Sequence, residues 1–105
     1  MTILNFETRE GPETHIALRG ELDLSTTDRV QRELERVEAA APSVLKLDLS
    51  GLTFLDSTGL RLIVAADQRA RESNRRFVVV KGPAAVQRVF SITKLDTRLD
   101  MVDEA

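Results

Sequence analysis

The chain has 105 residues, a net charge of −2 and no cysteine, which limits its function before any motif is considered. This length fits one domain with a single hydrophobic core, and the lack of cysteine excludes thiol, disulfide and cysteine-ligated zinc chemistry. The slightly acidic balance disfavours a nucleic-acid surface, no run of about 18 apolar residues is present to span a membrane, and the N-terminus lacks the features of a signal peptide, so we expect a soluble cytoplasmic domain.

Two short strands are predicted near the N-terminus. Leu4 and Phe6 alternate with more polar residues, and Ile16 and Leu18 do the same after a turn at residues 10–13 that contains glycine and proline. We expect these two segments to pair as an antiparallel hairpin.

A first helix is predicted to follow the hairpin and to end near Ala40. Three apolar residues recur at the helical spacing i, i+4 and i+7, namely Val30, Leu34 and Val37. Ser25 followed by Asp28 resembles a capping box, in which side chains bond the free N–H groups of the first turn. Pro42 prevents the helix from continuing much further.

Residues 48–66 predict a strand end, a turn and a buried helix in direct succession. Leucines alternate with polar residues over residues 44–49, which predicts a strand that ends at Leu49, before the turn-forming residues Ser50 and Gly51. Helical spacing begins near Ser57, and Asp56 stands where an N-cap belongs. The Ser57 hydroxyl is then expected at the first helical position, where free N–H groups and the helix dipole favour an added anion such as phosphate.

The rest of the chain predicts a strand, a helix and a weak final strand. Residues 77–80 form a continuous apolar run, which is typical of a central strand covered on both sides. Gly82 turns the chain and Pro83 is well placed at the start of a third helix. The predicted buried face of that helix consists of Val86, Val89 and Phe90. Leu99 and Met101 lie on one side of the last strand.

This order predicts an α/β domain with a small mixed sheet of four or five strands, mostly parallel, and helices mainly on one face. Ligands and partners of such sheets usually meet the edge at which the carboxyl ends of the parallel strands lie. That edge would carry both Asp23 and Ser57.

Two segments of the chain carry a family resemblance. GELDLSTTD at residues 20–28 and DLSGLTFLDSTGLRLIVAA at residues 48–66 resemble the two signatures of the STAS domain, particularly its stand-alone bacterial form, the anti-sigma factor antagonist. The D-S-x-G motif after a predicted strand is the more specific of the two, and GELD adds independent support. The resemblance extends over nearly the whole chain and implies a single STAS domain over residues 1–105.

The resemblance implies a regulatory protein that works by partner switching. In that family the serine of the D-S-x-G motif, here Ser57, is phosphorylated by a partner that is both an anti-sigma factor and an ATP-dependent serine kinase. The unphosphorylated form binds this kinase and frees a sigma factor, and a PP2C-type phosphatase restores it. Asp23, Asp56, Thr58 and Gly59 match the surroundings of the serine. A monomer or weak dimer suffices for such a switch.

Each of these residues also has a purely structural interpretation. Ser57 can be an ordinary helix-start serine, and Asp56 a cap that at the same time positions Ser57. Asp23 can either shape the turn after the second strand or contact a partner. Thr58 is a second candidate acceptor that ranks below Ser57, and Gly59 either allows a close approach or is incidental.

The alternatives are an enzyme and a different STAS function. Ser57 is not in a G-x-S-x-G motif, and the single histidine, His15, is predicted to be a surface residue without an orienting carboxylate. Walker and dinucleotide-binding glycine motifs are absent, so we expect neither catalysis nor a cofactor or metal. Similar domains also serve as scaffolds in stress-sensing assemblies and as accessory subunits of lipid-transport ATPases.

Overall fold

The computed structural model describes residues 3–103 and contains one sheet of five strands. The strands are β1 (Leu4–Arg9), β2 (Glu13–Leu22), β3 (Val44–Leu55), β4 (Arg76–Val80) and β5 (Asp100–Val102). They lie in the sheet in the same order as in the chain. The first two are antiparallel and every later pair is parallel, which confirms the predicted hairpin and mixed sheet.

Three α-helices connect the parallel strands and pack on one face of the sheet. They are α1 (Thr27–Ala39), α2 (Ser57–Glu72) and α3 (Ala84–Ile92), and a short 3-10 turn at residues 95–97 precedes β5. Their apolar faces join alternate strand residues in one hydrophobic cluster, in which Leu34, Leu47 and Phe90 are fully buried. Each such side chain contributes roughly 1.5–3 kcal/mol by its burial. Within residues 3–103, no helix has both the length and the apolar character needed to cross a membrane.

The central position of β4 agrees with its continuous apolar sequence. Phe77 and Val79 belong to the hydrophobic cluster beneath the helices. Val78 and Val80 alternate with them and point away from the cluster, yet each is only 2% exposed. Both faces of this strand are therefore buried, as predicted, and β4 lies between β3 and β5.

The predicted end of β3 at Leu49 is wrong, because the strand continues to Leu55. Its pairing with β2 shifts register twice along this stretch, so the turn-forming residues Ser50 and Gly51 produce an irregularity inside the strand. A Cβ atom on Gly51 would lie 2.9 Å from the Leu18 carbonyl oxygen, so the close approach of the neighbouring strand requires glycine.

The predicted capping box of α1 is also wrong. Thr26, not Ser25, occupies the N-cap position, and its side chain makes no cap hydrogen bond, so the helix begins at Thr27. The Ser25 hydroxyl instead donates to the Asp23 carboxylate at 2.7 Å. Asp28 lies in the first turn, where its charge is favourable toward the helix dipole without closing a box.

Candidate functional site

The loops that follow β2 and β3 lie side by side at one edge of the sheet, as predicted. The last residues of the two strands pair in register. The Asp56 N–H donates to the Leu22 carbonyl at 3.3 Å, and the Leu24 N–H donates to the Asp56 carboxylate at 3.3 Å. These bonds hold the loop that carries Asp23 against the start of the helix that carries Ser57.

Asp56 is the N-cap of α2, which confirms the structural role predicted for it. One carboxylate oxygen accepts hydrogen bonds from the N–H groups of Thr58 at 2.9 Å and Gly59 at 3.1 Å, and from the Thr58 hydroxyl. Partial burial raises the pKa of Asp56, but the hydrogen bonds from Thr58, Gly59 and Leu24 outweigh it and lower the pKa below the ordinary aspartate value. Asp56 is therefore a carboxylate at neutral pH.

Ser57 and Thr58 differ in the environment of their hydroxyl groups. Ser57 is the first residue of α2 and is exposed, and its hydroxyl makes no hydrogen bond to any other residue in the range 3–103. Thr58 is half-buried, and its hydroxyl donates to the Asp56 carboxylate. Of these two candidate acceptors, the one ranked first from the sequence is the more exposed residue.

Asp23 shapes the turn between β2 and α1. Its carboxylate accepts hydrogen bonds from the Ser25 N–H at 2.9 Å and from the Ser25 hydroxyl, and its own N–H donates to the Thr26 hydroxyl at 3.0 Å. The buried Thr26 hydroxyl in turn donates to the Glu21 carbonyl at 2.9 Å. Of the two interpretations of Asp23, the turn-forming one is therefore confirmed, and a contact with a partner stays a prediction.

Gly59 allows the helix to approach the sheet closely. A Cβ atom at this position would lie 2.6 Å from Leu55 Cδ1, 2.9 Å from Leu22 Cγ and 3.0 Å from the Leu22 carbonyl oxygen. Because one of these atoms belongs to the backbone, the contact cannot be relieved by rotating a side chain alone. The glycine is thus required by packing and is not incidental.

Residues 6–103 match the family model described as "Mlab, STAS domain". The chain belongs to the STAS domain family. Over 100 residues it is 29% identical to the anti-sigma-B factor antagonist of Listeria monocytogenes, a comparison that covers 93% of this chain and 88% of the relative. It is also 33% identical over 67 residues to the anti-sigma-F factor antagonist RsfB of Mycobacterium tuberculosis, which covers 64% of this chain and 55% of that protein.

Solved structures of other STAS proteins have the same fold. An anti-sigma factor antagonist from Mycobacterium paratuberculosis superposes with a TM-score of 0.86 at 24% identity, covering 96% of this chain and 86% of that one. The antagonist SpoIIAA in its unphosphorylated form has a TM-score of 0.83 at 20% identity, covering 96% of this chain and 89% of that one. The relatives are named for a regulatory role and not for a catalysed reaction, in agreement with the expectation that this STAS domain is not an enzyme.

Two exposed apolar residues of the STAS domain lie at the same edge and were not singled out from the sequence. Leu24 is 75% exposed and Phe54 is 47% exposed. A shallow depression of about 480 Å³ is lined by Asp23, Leu24, Ser25, Phe54 and Asp56. The position of Leu24 in a loop was the available signal, since it lies outside the spacing of both neighbouring elements. No signal for Phe54 was present in the sequence, because the predicted strand ended before this residue.

His15 has a carboxylate neighbour that the sequence did not predict. Its Nε2 atom is buried, lies 3.7 Å from the Asp48 carboxylate and has no hydrogen-bond partner within the described residues. The histidine is half-buried, so the prediction of a plain surface residue is wrong. It lies near the start of β2 whereas Ser57 follows the end of β3, so the two cannot form a catalytic pair. No group of three or more metal-ligating side chains occurs among residues 3–103.

Proposed function

We propose that this STAS domain is an anti-sigma factor antagonist that is switched by phosphorylation at Ser57. Its unphosphorylated form binds an anti-sigma factor that is also a serine kinase, and so frees a sigma factor in the bacterial cytoplasm. The kinase transfers the γ-phosphoryl group of ATP to the Ser57 oxygen, ADP leaves, and the hydroxyl proton passes to a base on the kinase. A PP2C-type phosphatase hydrolyses the phosphate ester and restores binding.

The observation that carries this proposal is the exposed Ser57 hydroxyl at the first position of α2. A phosphate on this oxygen extends into solvent, so the modification requires no change in the core. The names of the relatives support the antagonist role. SpoIIAA, which shares the fold, has been solved in both an unphosphorylated and a phosphorylated form, and this supports the switch.

The arrangement of charges around Ser57 explains how a phosphate would weaken binding. Phosphorylation adds about −1.5 to −2 charges at neutral pH. The N–H groups of Thr58 and Gly59, which otherwise attract an anion at a helix start, already bond the Asp56 carboxylate. The phosphate therefore stays at the surface beside a second negative charge. At an interface it adds bulk, desolvation cost and like-charge repulsion, and a loss of about 3 to 4 kcal/mol lowers affinity a few hundredfold.

Phosphorylation in vitro tests the acceptor. The purified chain is incubated with ATP and the anti-sigma factor of the same organism, and the modified residue is located by mass spectrometry. We expect one phosphate on Ser57, none on the variant Ser57→Ala, and an unchanged yield on the matched control Thr58→Val. Transfer to any residue other than Ser57 would contradict the assignment.

Binding measurements test the switch itself. We expect the phosphorylated protein and Ser57→Asp to bind the anti-sigma factor at least a hundredfold more weakly, with circular dichroism unchanged. Extensive unfolding on phosphorylation would contradict a switch that acts at the interface. Pull-down from an extract separates the other STAS functions, because recovery of a lipid-transport ATPase or a large stress-sensing assembly without a kinase would reject the antagonist role.

A further inference from the structure

Leu24 and Phe54 form an exposed apolar pair next to Ser57. The large hydrophobic residues exposed within residues 3–103 are Ile3, Leu24, Phe54 and Ile92. Single exposed apolar residues are normal on a protein surface and need no explanation. Leu24 and Phe54 are not such isolated residues. Leu24 lies in the loop after β2 and Phe54 lies in β3, yet both line the same depression.

Hydrogen bonds order the backbone of both residues before any partner arrives. The Leu24 N–H donates to the Asp56 carboxylate at 3.3 Å, which ties the Leu24 loop to the start of α2. Phe54 lies in β3 and pairs in register with Glu21 of β2. Because both backbones are already ordered, burying the two side chains costs less conformational entropy than ordering a mobile loop would.

We propose that Leu24 and Phe54 are the apolar anchors by which this domain binds the serine kinase that modifies Ser57. The inference rests on the proposed function and adds the surface that supplies the affinity. The occupant is an apolar concave surface of the kinase beside its active site. Phe54 precedes Ser57 by three residues, and Leu24 is bonded to the residue directly before Ser57. An enzyme that reaches the Ser57 hydroxyl must therefore cover this edge.

The surroundings of the pair fit the usual anatomy of an interface. A small number of central apolar or aromatic residues carry most of the binding energy, and a polar rim surrounds them. Here the rim consists of the polar residues that line the same depression, namely Asp23, Ser25 and Asp56. Affinity would come from the two apolar side chains, and control from the charge state of Ser57.

Substitution of each anchor, with a matched control, tests the inference. Leu24→Ser and Phe54→Ala are compared with the control Ile92→Ser. Ile92 lies on α3, away from the proposed interface, and is 72% exposed, which is close to the 75% exposure of Leu24. Affinity for the purified anti-sigma factor kinase is measured by titration calorimetry. We expect each anchor variant to bind at least tenfold more weakly, and the control to bind within twofold of the wild type.

A kinetic measurement separates docking from damage to the acceptor. We expect the KM for phosphorylation of Ser57 to rise at least tenfold in the anchor variants, while kcat at saturating protein stays within twofold. Leu24 lies in a loop and is mostly exposed, so Leu24→Ser should keep the fold. This variant therefore tests the inference even if Phe54→Ala lowers the melting temperature.

The outcomes distinguish this inference from the function on which it rests. Anchor variants that bind as tightly as the wild type, or that lose kcat without a change in KM, would overturn the inference alone. A wild-type chain that neither binds nor is phosphorylated by the kinase would overturn the proposed function, and the inference with it.

Discussion

The substitution Asp56→Ala removes the carboxylate that caps α2 and also bonds the loop after β2. It breaks the bonds to the N–H groups of Thr58 and Gly59, to the Thr58 hydroxyl and to the Leu24 N–H. Replacing an N-cap aspartate by alanine typically costs about 1 kcal/mol and at most about 2. We expect the upper end of that range, about 2 kcal/mol, because this carboxylate also bonds a neighbouring loop. For a domain of this size the melting temperature should fall by roughly 8–16 °C.

The loss of stability should depend on pH in a defined direction. The pKa of Asp56 is lowered in the folded protein from the ordinary value of 3.8, so the folded state favours the charged carboxylate. Its contribution is fully present above that value and is lost as the pH falls through the lowered pKa. The difference in unfolding free energy between wild type and Asp56→Ala should thus be largest at pH 7 and shrink below about pH 3.8.

Urea denaturation followed by circular dichroism measures this difference at each pH. Asp28→Ala is the matched control, since Asp28 also lies in the first turn of a helix but is not its N-cap. The control should change stability by no more than about 1 kcal/mol. Equal effects of the two substitutions at pH 7 would refute the reasoning, because they would show that general helix-dipole charge, and not the cap bonds, stabilises this region.

Further substitutions test the packing around the site and the contact between helices. Gly59→Ala should destabilise the fold by about 2 kcal/mol, although alanine has the better helix propensity, because its Cβ would press on the Leu22 backbone. Thermal melts measure the effect, and an unchanged melting temperature would contradict this expectation. Gly20→Ala should cost about 3 kcal/mol, since φ is +105° there. Glu38→Gln should cost about 1 kcal/mol and less in high salt, because Glu38 binds Arg69 through two hydrogen bonds of 2.8 and 2.9 Å.

The parts of the site that lie close together in the chain could be predicted from the sequence. Asp56, Ser57 and Gly59 belong to one four-residue motif, and the change from strand to helical spacing marks the start of α2. A cap and a first helical position depend mainly on local backbone geometry, so local signals were sufficient for them. The buried face of α1, at Val30, Leu34 and Val37, follows from the same kind of spacing.

The parts that depend on distant neighbours could not be predicted. Serine and glycine together usually end a strand. Here β3 continues beyond Ser50 and Gly51 because its pairing with β2 resumes after a shift in register. The exposure of Phe54 follows from that extension. Ser25 would have capped α1, but its hydroxyl bonds Asp23. The contact of His15 with its carboxylate neighbour likewise depends on the register between two strands.

Within the D-S-x-G segment, the residues that hold the start of α2 are distinct from Ser57, which is exposed. Asp56 and Thr58 bond each other, and Gly59 packs against the sheet, so these residues hold the start of α2. Ser57 lies between them and makes none of those contacts. A charge placed on its hydroxyl would leave every cap bond intact, whereas the same charge on Thr58 would break one. In the switch that we propose, Ser57 is therefore the position at which a phosphate changes partner binding while every cap bond stays intact.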